Sequence, residues 1–297
     1  MSRPLIFALF REDDLAANIQ KELRTEGGAL THRYFPDGES YIRFDSNVRG
    51  RDVIIVTDLA NPDAKLLPLI FAATAAKNLG ASLVGLIAPY LPYMRQDKTF
   101  IQGEAITPPI FANVLSRAFD WMVTIDPHLH RISTLTDIYT LEAITLSANA
   151  LLVEWIDKNV DAPLIIGPDA ESEQWASAAA KSLDCPYIIA AKERCGDRCV
   201  DIVLPKANGY TGHSPIIIDD VISTGTTVME LTSILKRDGF LAPVCLAVHA
   251  LFSPDAGQRI LDAGVEKIIT TNTIGHGSND INVGPLIAQT LRDYLNL

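Results

Sequence analysis

Short apolar runs rich in β-branched residues alternate along this chain with stretches whose apolar residues recur every three or four positions. No other feature limits the fold as much. RDVIIVTDL (51–59), WMVTIDP (121–127), APLIIGPD (162–169) and SPIIIDD (214–220) read as strands, as do PLIFALF near the start and EKIITTN near the end. DDLAANIQKELRTE (13–26), ITPPIFANVLSRAF (106–119) and GTTVMELTSILKRDG (225–239) read as helices between them. Such alternation builds βαβ units, hence mostly parallel sheets buried on both faces and flanked by helices. At 297 residues the chain exceeds one ordinary core, and two domains of roughly 100–200 residues are expected. TLEAITLSANALLVEWIDKNVDAP (140–163) reads as the start of a second repetition, which sets a boundary near residue 147. The expected domains are 1–147 and 148–281, with an amphipathic helix over 282–297 that could fold back onto either half, the first being the one named for it.

Composition excludes several classes. With 48% hydrophobic and 21% charged residues the chain is expected to pack as a globule. The net charge of −11 argues against a nucleic-acid surface, which needs a basic footprint. No apolar run is long enough for a bilayer, and MSRPLIFALFREDD turns acidic too soon for an export signal, so a cytoplasmic protein off the membrane is expected. Four cysteines (Cys185, Cys195, Cys199, Cys245) then read as reduced thiols. Cys195 and Cys199 lack a second ligand pair for zinc.

Ligands of open parallel sheets bind beyond the carboxyl ends of the strands. Asp126, Asp169, Lys192 and Asp219 each follow a strand-like run and are expected along such an edge, although any single acid there could merely cap. The densest stretch is IIIDDVISTGTT (216–227): Asp219 and Asp220 end a buried strand, and Ser223, Thr224, Gly225, Thr226 and Thr227 open a helix. Helix N–H groups and hydroxyls suit a phosphate monoester, and Gly225 lets the backbone approach it. Paired carboxylates suit vicinal hydroxyls. Phosphate beside diol describes ribose 5-phosphate.

That stretch resembles the phosphoribosyl diphosphate loop of type I phosphoribosyltransferases and of ribose-phosphate diphosphokinases. Further segments resemble the diphosphokinases in their order along the chain: FPDGES (35–40), NVRG (47–50), PYLPYMRQD (89–97), IDPH (125–128), GPDAES (167–172) and AAKERC (190–195). The resemblance implies two similar type I phosphoribosyltransferase-like α/β domains. It also implies transfer of the diphosphoryl group of ATP to the C1 hydroxyl of ribose 5-phosphate, giving 5-phosphoribosyl 1-diphosphate and AMP for nucleotide biosynthesis. By the same resemblance Phe35, Asp37, Glu39, Arg95, Gln96 and Asp97 bind ATP, His128 and Asp169 hold Mg²⁺, and Lys192 and Arg194 are catalytic. His130 is the alternative metal ligand, and His213 and His249 are structural. Asp219, Asp220 and Ser223–Thr227 bind ribose 5-phosphate, and a homo-oligomer is implied.

The chain departs from the family pattern in places. S-P-D-x-G-G is replaced by Gly167-Pro168-Asp169-Ala170-Glu171-Ser172, followed by Glu173. K-R-R has become Lys192-Glu193-Arg194, and an acidic segment bearing Cys195 and Cys199 takes the place of the catalytic flap, with a disulfide between them as the alternative to free thiols. TFIQGEAIT (99–107) is similar to the shorter archaeal-type members. Glu171 and Glu193 leave as a rival a non-catalytic regulatory homologue binding the same ligands; the Asp219–Thr227 unit alone would also serve a base-utilising phosphoribosyltransferase, for which FPDGE and RQD would have no role.

Overall fold

The computed structural model describes residues 3–10, 13–99, 101–194, 200–205 and 209–297. Cys195 and Cys199, and with them any zinc or disulfide chemistry, lie outside the described residues. The chain divides into two compact units, Met1–Leu146 with Val283–Leu297, and Ser147–Asn282.

The first unit runs β1 (Leu5–Ala8), α1 (Asp13–Leu23), β2 (Glu26–Gly27), β3 (Leu30–Tyr34), β4 (Ser40–Phe44), β5 (Asp52–Val56), α2 (Pro62–Asn78), β6 (Leu83–Ile87), α3 (Thr107–Ala118), β7 (Trp121–Ile125) and β8 (Glu142–Leu146). Six of these strands form a parallel sheet in the order β2-β1-β5-β6-β7-β8. Both faces are covered, so β5 and β7 are buried nearly end to end. Phe7, Leu9, Ile55, Leu69, Leu86, Phe111 and Phe119 share one core. Proline stands in the first turn of α2 and of α3, where its missing N–H costs nothing and its fixed φ starts the helix. The β3–β4 pair is a separate antiparallel hairpin, Leu30 opposite Phe44.

The second unit runs α4 (Asn149–Asn159), β9 (Pro163–Gly167), α5 (Glu173–Leu183), β10 (Tyr187–Ile189), β11 (Ala191–Arg194), β12 (Val200–Val203), β13 (Ser214–Ile222), α6 (Thr226–Arg237), β14 (Val244–Ala250), α7 (Ala256–Asp262), β15 (Lys267–Thr271) and β16 (Asn279–Ile281). Its parallel sheet is ordered β10-β9-β13-β14-β15-β16, the same pattern as the first. The core gathers Ile166, Ile217, Leu231, Leu235, Cys245 and Ile260. The last helix, α8 (Gly284–Leu295), belongs to the first unit and lies along α1.

Two expectations need adjusting. The EAITL part of the supposed second repetition closes the first sheet as β8, pairing Met122 with Ala143, so the second unit begins with a helix. Lys192 does not end a strand of the main sheet. That strand stops at Ile189, and Lys192 falls in β11, whose two-stranded ribbon with β12 pairs it opposite Ile202.

Candidate active site

In the second unit the chain leaves β9 for β10 on one side and returns to β13 on the other, so the loops after β9 and β13 diverge. A crevice opens at such a switch point. Asp169 follows β9, and Asp219 and Asp220 end the buried run of β13.

Asp219 and Asp220 are adjacent but not equivalent. Asp220 is buried at 5% exposure, and its N–H donates to Asp219 Oδ1 at 3.0 Å. The Asp219 carboxyl is held well above the usual carboxylate range, first by burial, then by the negative charges of Asp220 and Asp169. Asp219 thus lies close enough to Asp220 and Asp169 to feel both negative charges.

The loop that follows turns at Gly225, the residue before α6, which is left-handed at φ 72°. The N-cap residue Gly225 has no side chain to cap α6, no acid stands in its first turn, and only Thr224 Oγ1 approaches its first N–H, that of Thr226, at 3.5 Å, so its positive end is open to an anion. Thr224 and Thr226 share a hydroxyl contact at 3.1 Å, and the Ser223 carbonyl accepts from the Ser253 N–H at 3.1 Å. Ser253 lies outside every sequence motif, and its part in bracing the loop had no local signal.

Asp169 caps the 3₁₀ turn Ala170–Ser172 that leads into α5, accepting from the N–H groups of Glu171 (3.0 Å) and Ser172 (3.3 Å). Ser172 is buried and its hydroxyl donates to the Asp169 carbonyl at 2.6 Å. Glu171 and Glu173 are exposed. The acids that replace the family's glycine region therefore point to solvent, and the residue that turns inward is a serine.

The first unit carries the other expected residues. Asp126, after β7, is buried and left-handed at φ 36°, a conformation that asparagine and aspartate tolerate better than other side chains. His128 is half-buried two residues on. His130 is exposed, and its Nδ1 faces Arg131 Nη1 at 2.6 Å and Asp97 at 3.7 Å. Asp97, whose side chain is only 3% exposed, binds Arg131 through both oxygens, to the N–H at 3.0 Å and to Nη1 at 2.9 Å. The RQD segment is thereby locked to the segment after Asp126. Arg131 escaped sequence reasoning because it matches no motif. Arg95 is exposed and Gln96 half-buried, and the Gln96 carbonyl accepts from the Thr107 N–H at 3.1 Å.

Phe35 sits at the tip of the β3–β4 hairpin at 39% exposure. The Arg33 guanidinium lies 4.6 Å from its ring centroid and 4.3 Å from that of Tyr41, a cation–π arrangement that stiffens the tip. Asp37 accepts from the Glu39 N–H at 3.2 Å and shapes the turn.

Asp169, Asp219, Asp220 and Ser223–Thr227 fall in the second unit, as do the strand positions of Lys192 and Arg194; the ATP motifs and His128 fall in the first. Among the described residues no three His, Cys, Asp or Glu side chains converge as a ready-made metal cage. Magnesium does not require one, since it is commonly held by one or two carboxylates together with substrate phosphates and water. His213 lies edge-on to Tyr210 at 5.4 Å, and His249 is buried with its Nδ1 2.9 Å from Thr273 Oγ1.

Two parallel-sheet domains of one strand order, the second with an acid-tipped strand running into an uncapped helix, define a phosphoribosyltransferase-type α/β protein. Residues 5–118 match the N-terminal domain of ribose phosphate pyrophosphokinase, and residues 134–281 match the phosphoribosyl transferase domain. A ribose-phosphate pyrophosphokinase of Methanobrevibacter smithii is 32% identical over 94% of this chain and 97% of its own. One of Thermoplasma acidophilum is 29% identical over 98% of each. The crystal structure of phosphoribosylpyrophosphate synthetase from Mycobacterium smegmatis superimposes with a TM-score of 0.87 at 27% identity, covering 99% of each chain. The chain belongs to the ribose-phosphate pyrophosphokinase family.

Proposed function

We propose that this protein is a ribose-phosphate diphosphokinase: it transfers the diphosphoryl group of ATP to the C1 hydroxyl of ribose 5-phosphate, forming 5-phosphoribosyl 1-diphosphate and AMP for nucleotide biosynthesis. The observation that carries this reading is the end of β13 in the second unit, where the buried Asp219 carboxyl feels Asp220 and Asp169 and the strand runs on into a helix start with no N-cap side chain and no acid in its first turn. Asp219 and Asp220 accept hydrogen bonds from the ribose diol. Ser223–Thr227 and the first N–H groups of α6 take the 5-phosphate.

The reaction joins the C1 oxygen to the β-phosphorus, breaks the bond from that phosphorus to the α–β bridging oxygen, and releases the hydroxyl proton. AMP leaves. Positioning and charge stabilisation carry such transfers. Lys192 and Arg194 are assigned to the charge that develops on the transferred group. Phe35, Asp37, Glu39, Arg95, Gln96 and Asp97 are assigned to ATP; for Asp97 the salt bridge to Arg131 favours an orienting role.

The carboxylate-rich crevice fits a hard divalent cation, whose charge would relieve the repulsion around Asp219. Asp169 and His128 are proposed as Mg²⁺ ligands. His130, whose Nδ1 faces Arg131, is the alternative ligand. When bound, Mg²⁺ would neutralise phosphate charge. No described helix is long and apolar enough to cross a membrane. We further infer a cytoplasmic location and a homo-oligomer.

AMP release from ATP and Mg²⁺, with and without ribose 5-phosphate, tests the reading in wild type and Lys192→Ala. Sugar-dependent AMP that disappears in the variant is expected. Folded protein that binds both ligands yet forms no AMP would instead identify the non-catalytic regulatory homologue.

A further inference from the structure

Polar side chains are fully buried where β14 and β15 end: His249, Thr271 and Thr273 are each at most 1% exposed. An apolar residue would suit a buried strand position at lower cost, so the bonds these groups make are the reason for them. The β14–β15 ladder ends at Ala247 opposite Thr270. Beyond it, the Val248 carbonyl accepts from the hydroxyls of Thr271 (2.7 Å) and Thr273 (2.9 Å). With both hydroxyl protons on that carbonyl, the 2.9 Å contact between His249 Nδ1 and Thr273 Oγ1 assigns a proton to Nδ1, which donates.

The candidate phosphate loop lies beside this cluster. His249 stands opposite Val221 in the β13–β14 ladder, two residues beyond the Asp219–Ala247 pair. The chain then turns sharply, the Leu251 N–H donating to the His249 carbonyl at 3.1 Å, and the Ser253 N–H reaches the Ser223 carbonyl at 3.1 Å. Ile260 of α7 packs against Gly225 too closely for any side chain to stand between them. Segment 249–260 therefore holds Val221, Ser223 and Gly225, alternate positions of the loop assigned to the sugar phosphate. Its far end is fixed by apolar packing, since Ala256 and Ile260 are fully buried. Its root is tied through the Thr273 hydroxyl.

We propose that His249, clamped to Thr273, is a positioning residue for the 5-phosphate loop. The pair holds the root of segment 249–260, and that segment holds Val221–Gly225 in the shape that receives ribose 5-phosphate. His249 acts through the loop, not on the substrate. The consequence is selective. A loop that wanders loses affinity for the sugar phosphate, because its N–H groups and hydroxyls must be ordered again at each binding event. Phe35 and Arg95–Asp97 belong to the other unit and take no part in this chain of contacts, so the use of ATP should be spared. The inference rests on the function proposed above.

Three variants test it. Thr273→Val keeps the side chain's shape and removes the acceptor, His249→Ala removes the donor, and His249→Asn keeps a donor close to the place of Nδ1. AMP release is followed with each substrate varied in turn, together with the rise in Tm that ribose 5-phosphate gives. Thr273→Val and His249→Ala should raise KM for ribose 5-phosphate about five- to tenfold, the loss of roughly one hydrogen bond, and shrink the Tm rise. KM for ATP should stay within about twofold, and His249→Asn should behave as wild type. If His249→Ala does not fold, Thr273→Val decides. An unchanged KM for ribose 5-phosphate in folded Thr273→Val overturns the inference, as does an equal rise in KM for both substrates, the mark of a merely structural role. If the wild type forms no AMP, the proposed reaction falls and the Tm rise alone decides the inference, which fails if wild type and Thr273→Val respond equally. A wild type with neither AMP nor a Tm rise overturns both.

Discussion

A methyl group on Gly225 would stand 2.5 Å from the Cδ1 of Ile260, a contact that no side chain tolerates. Gly225 is the turn of the candidate phosphate loop and Ile260 is a fully buried residue of α7, so the loop rests directly on the core of its unit. The left-handed φ of 72° adds a second reason for glycine. Gly225→Ala is expected to cost about 2–4 kcal/mol, from backbone strain of ~1 and overpacking of ~1–3. Adding Ile260→Val should return part of the overpacking cost. Thermal unfolding of the single and double variants, with and without ribose 5-phosphate, checks this. Equal stability of Gly225→Ala and wild type would refute the packing account.

Gly167 and Ser172 form a reciprocal pair. A Cβ on Gly167 would lie 2.6 Å from both Ser172 Oγ and Ile189 Cδ1. The family's S-P-D-x-G-G carries its serine and its glycine the other way round at these two positions. Gly167→Ser alone should destabilise by about 1–3 kcal/mol. With Ser172→Gly it should cost less than the sum of the two singles, with a coupling of about 1 kcal/mol. Denaturant melts of the four proteins measure that coupling; strict additivity would mean that the two sites are independent.

Asp219 should weaken the ligand-free protein. Its folded carboxyl holds a proton to higher pH than an ordinary carboxyl because of burial, then Asp220 and Asp169. Between the unfolded pKa near 4 and that raised value the folded state binds more protons, so stability falls as pH rises through the window. Asp219→Asn removes the effect. Without metal at pH 8 it should raise Tm by about 2–4 °C, the size of a ~1 kcal/mol change for a domain of this length, while affinity for ribose 5-phosphate drops. A lower Tm in the variant would contradict the repulsion argument.

Tyr294 anchors α8 to β8. Its hydroxyl donates to Glu142 Oε2 at 2.7 Å, and its ring meets Trp121 edge-on with centroids 5.3 Å apart. Burial, then the Glu142 hydrogen bond, pushes the phenol up to about 12. A raised tyrosine pKa adds stability that is intact below the unfolded value near 10 and is lost as pH rises through 12. Tyr294→Phe is expected to cost ~1 kcal/mol at neutral pH and to flatten the alkaline loss. Unfolding curves from pH 8 to 12, with tyrosinate absorbance, test both parts; an alkaline loss unchanged in the variant would assign it to another group.

The parallel sheets and the acid-tipped strand were legible because both are local. A fully buried strand must be an apolar run, as IIVT and PIII are, and a phosphate loop needs its acids, hydroxyls and glycine within a dozen residues. The β3–β4 hairpin was not legible as strands, since LTHRY and SYIRF are half-exposed and mix polar with apolar residues. Nor was the ribbon holding Lys192, whose strand partner is set by pairing across the intervening segment.

Sequence by itself determined the fold class and supplied the proposed site, because apolar period and clustered functional groups follow from neighbours along the chain. Tertiary structure alone decided which groups are already occupied. Asp97 is claimed by Arg131, 34 residues away; Asp169 caps its own helix; Glu171 faces water while Ser172 fills the space that glycine leaves at 167. It also left α2 apolar on both sides with only one side covered by its own unit. The Asp97–Arg131 pair joins residues far apart in the chain, while Asp169 and the Gly167–Ser172 pair are decided within a few residues of one another; in each the folded geometry, not composition, selects the partner.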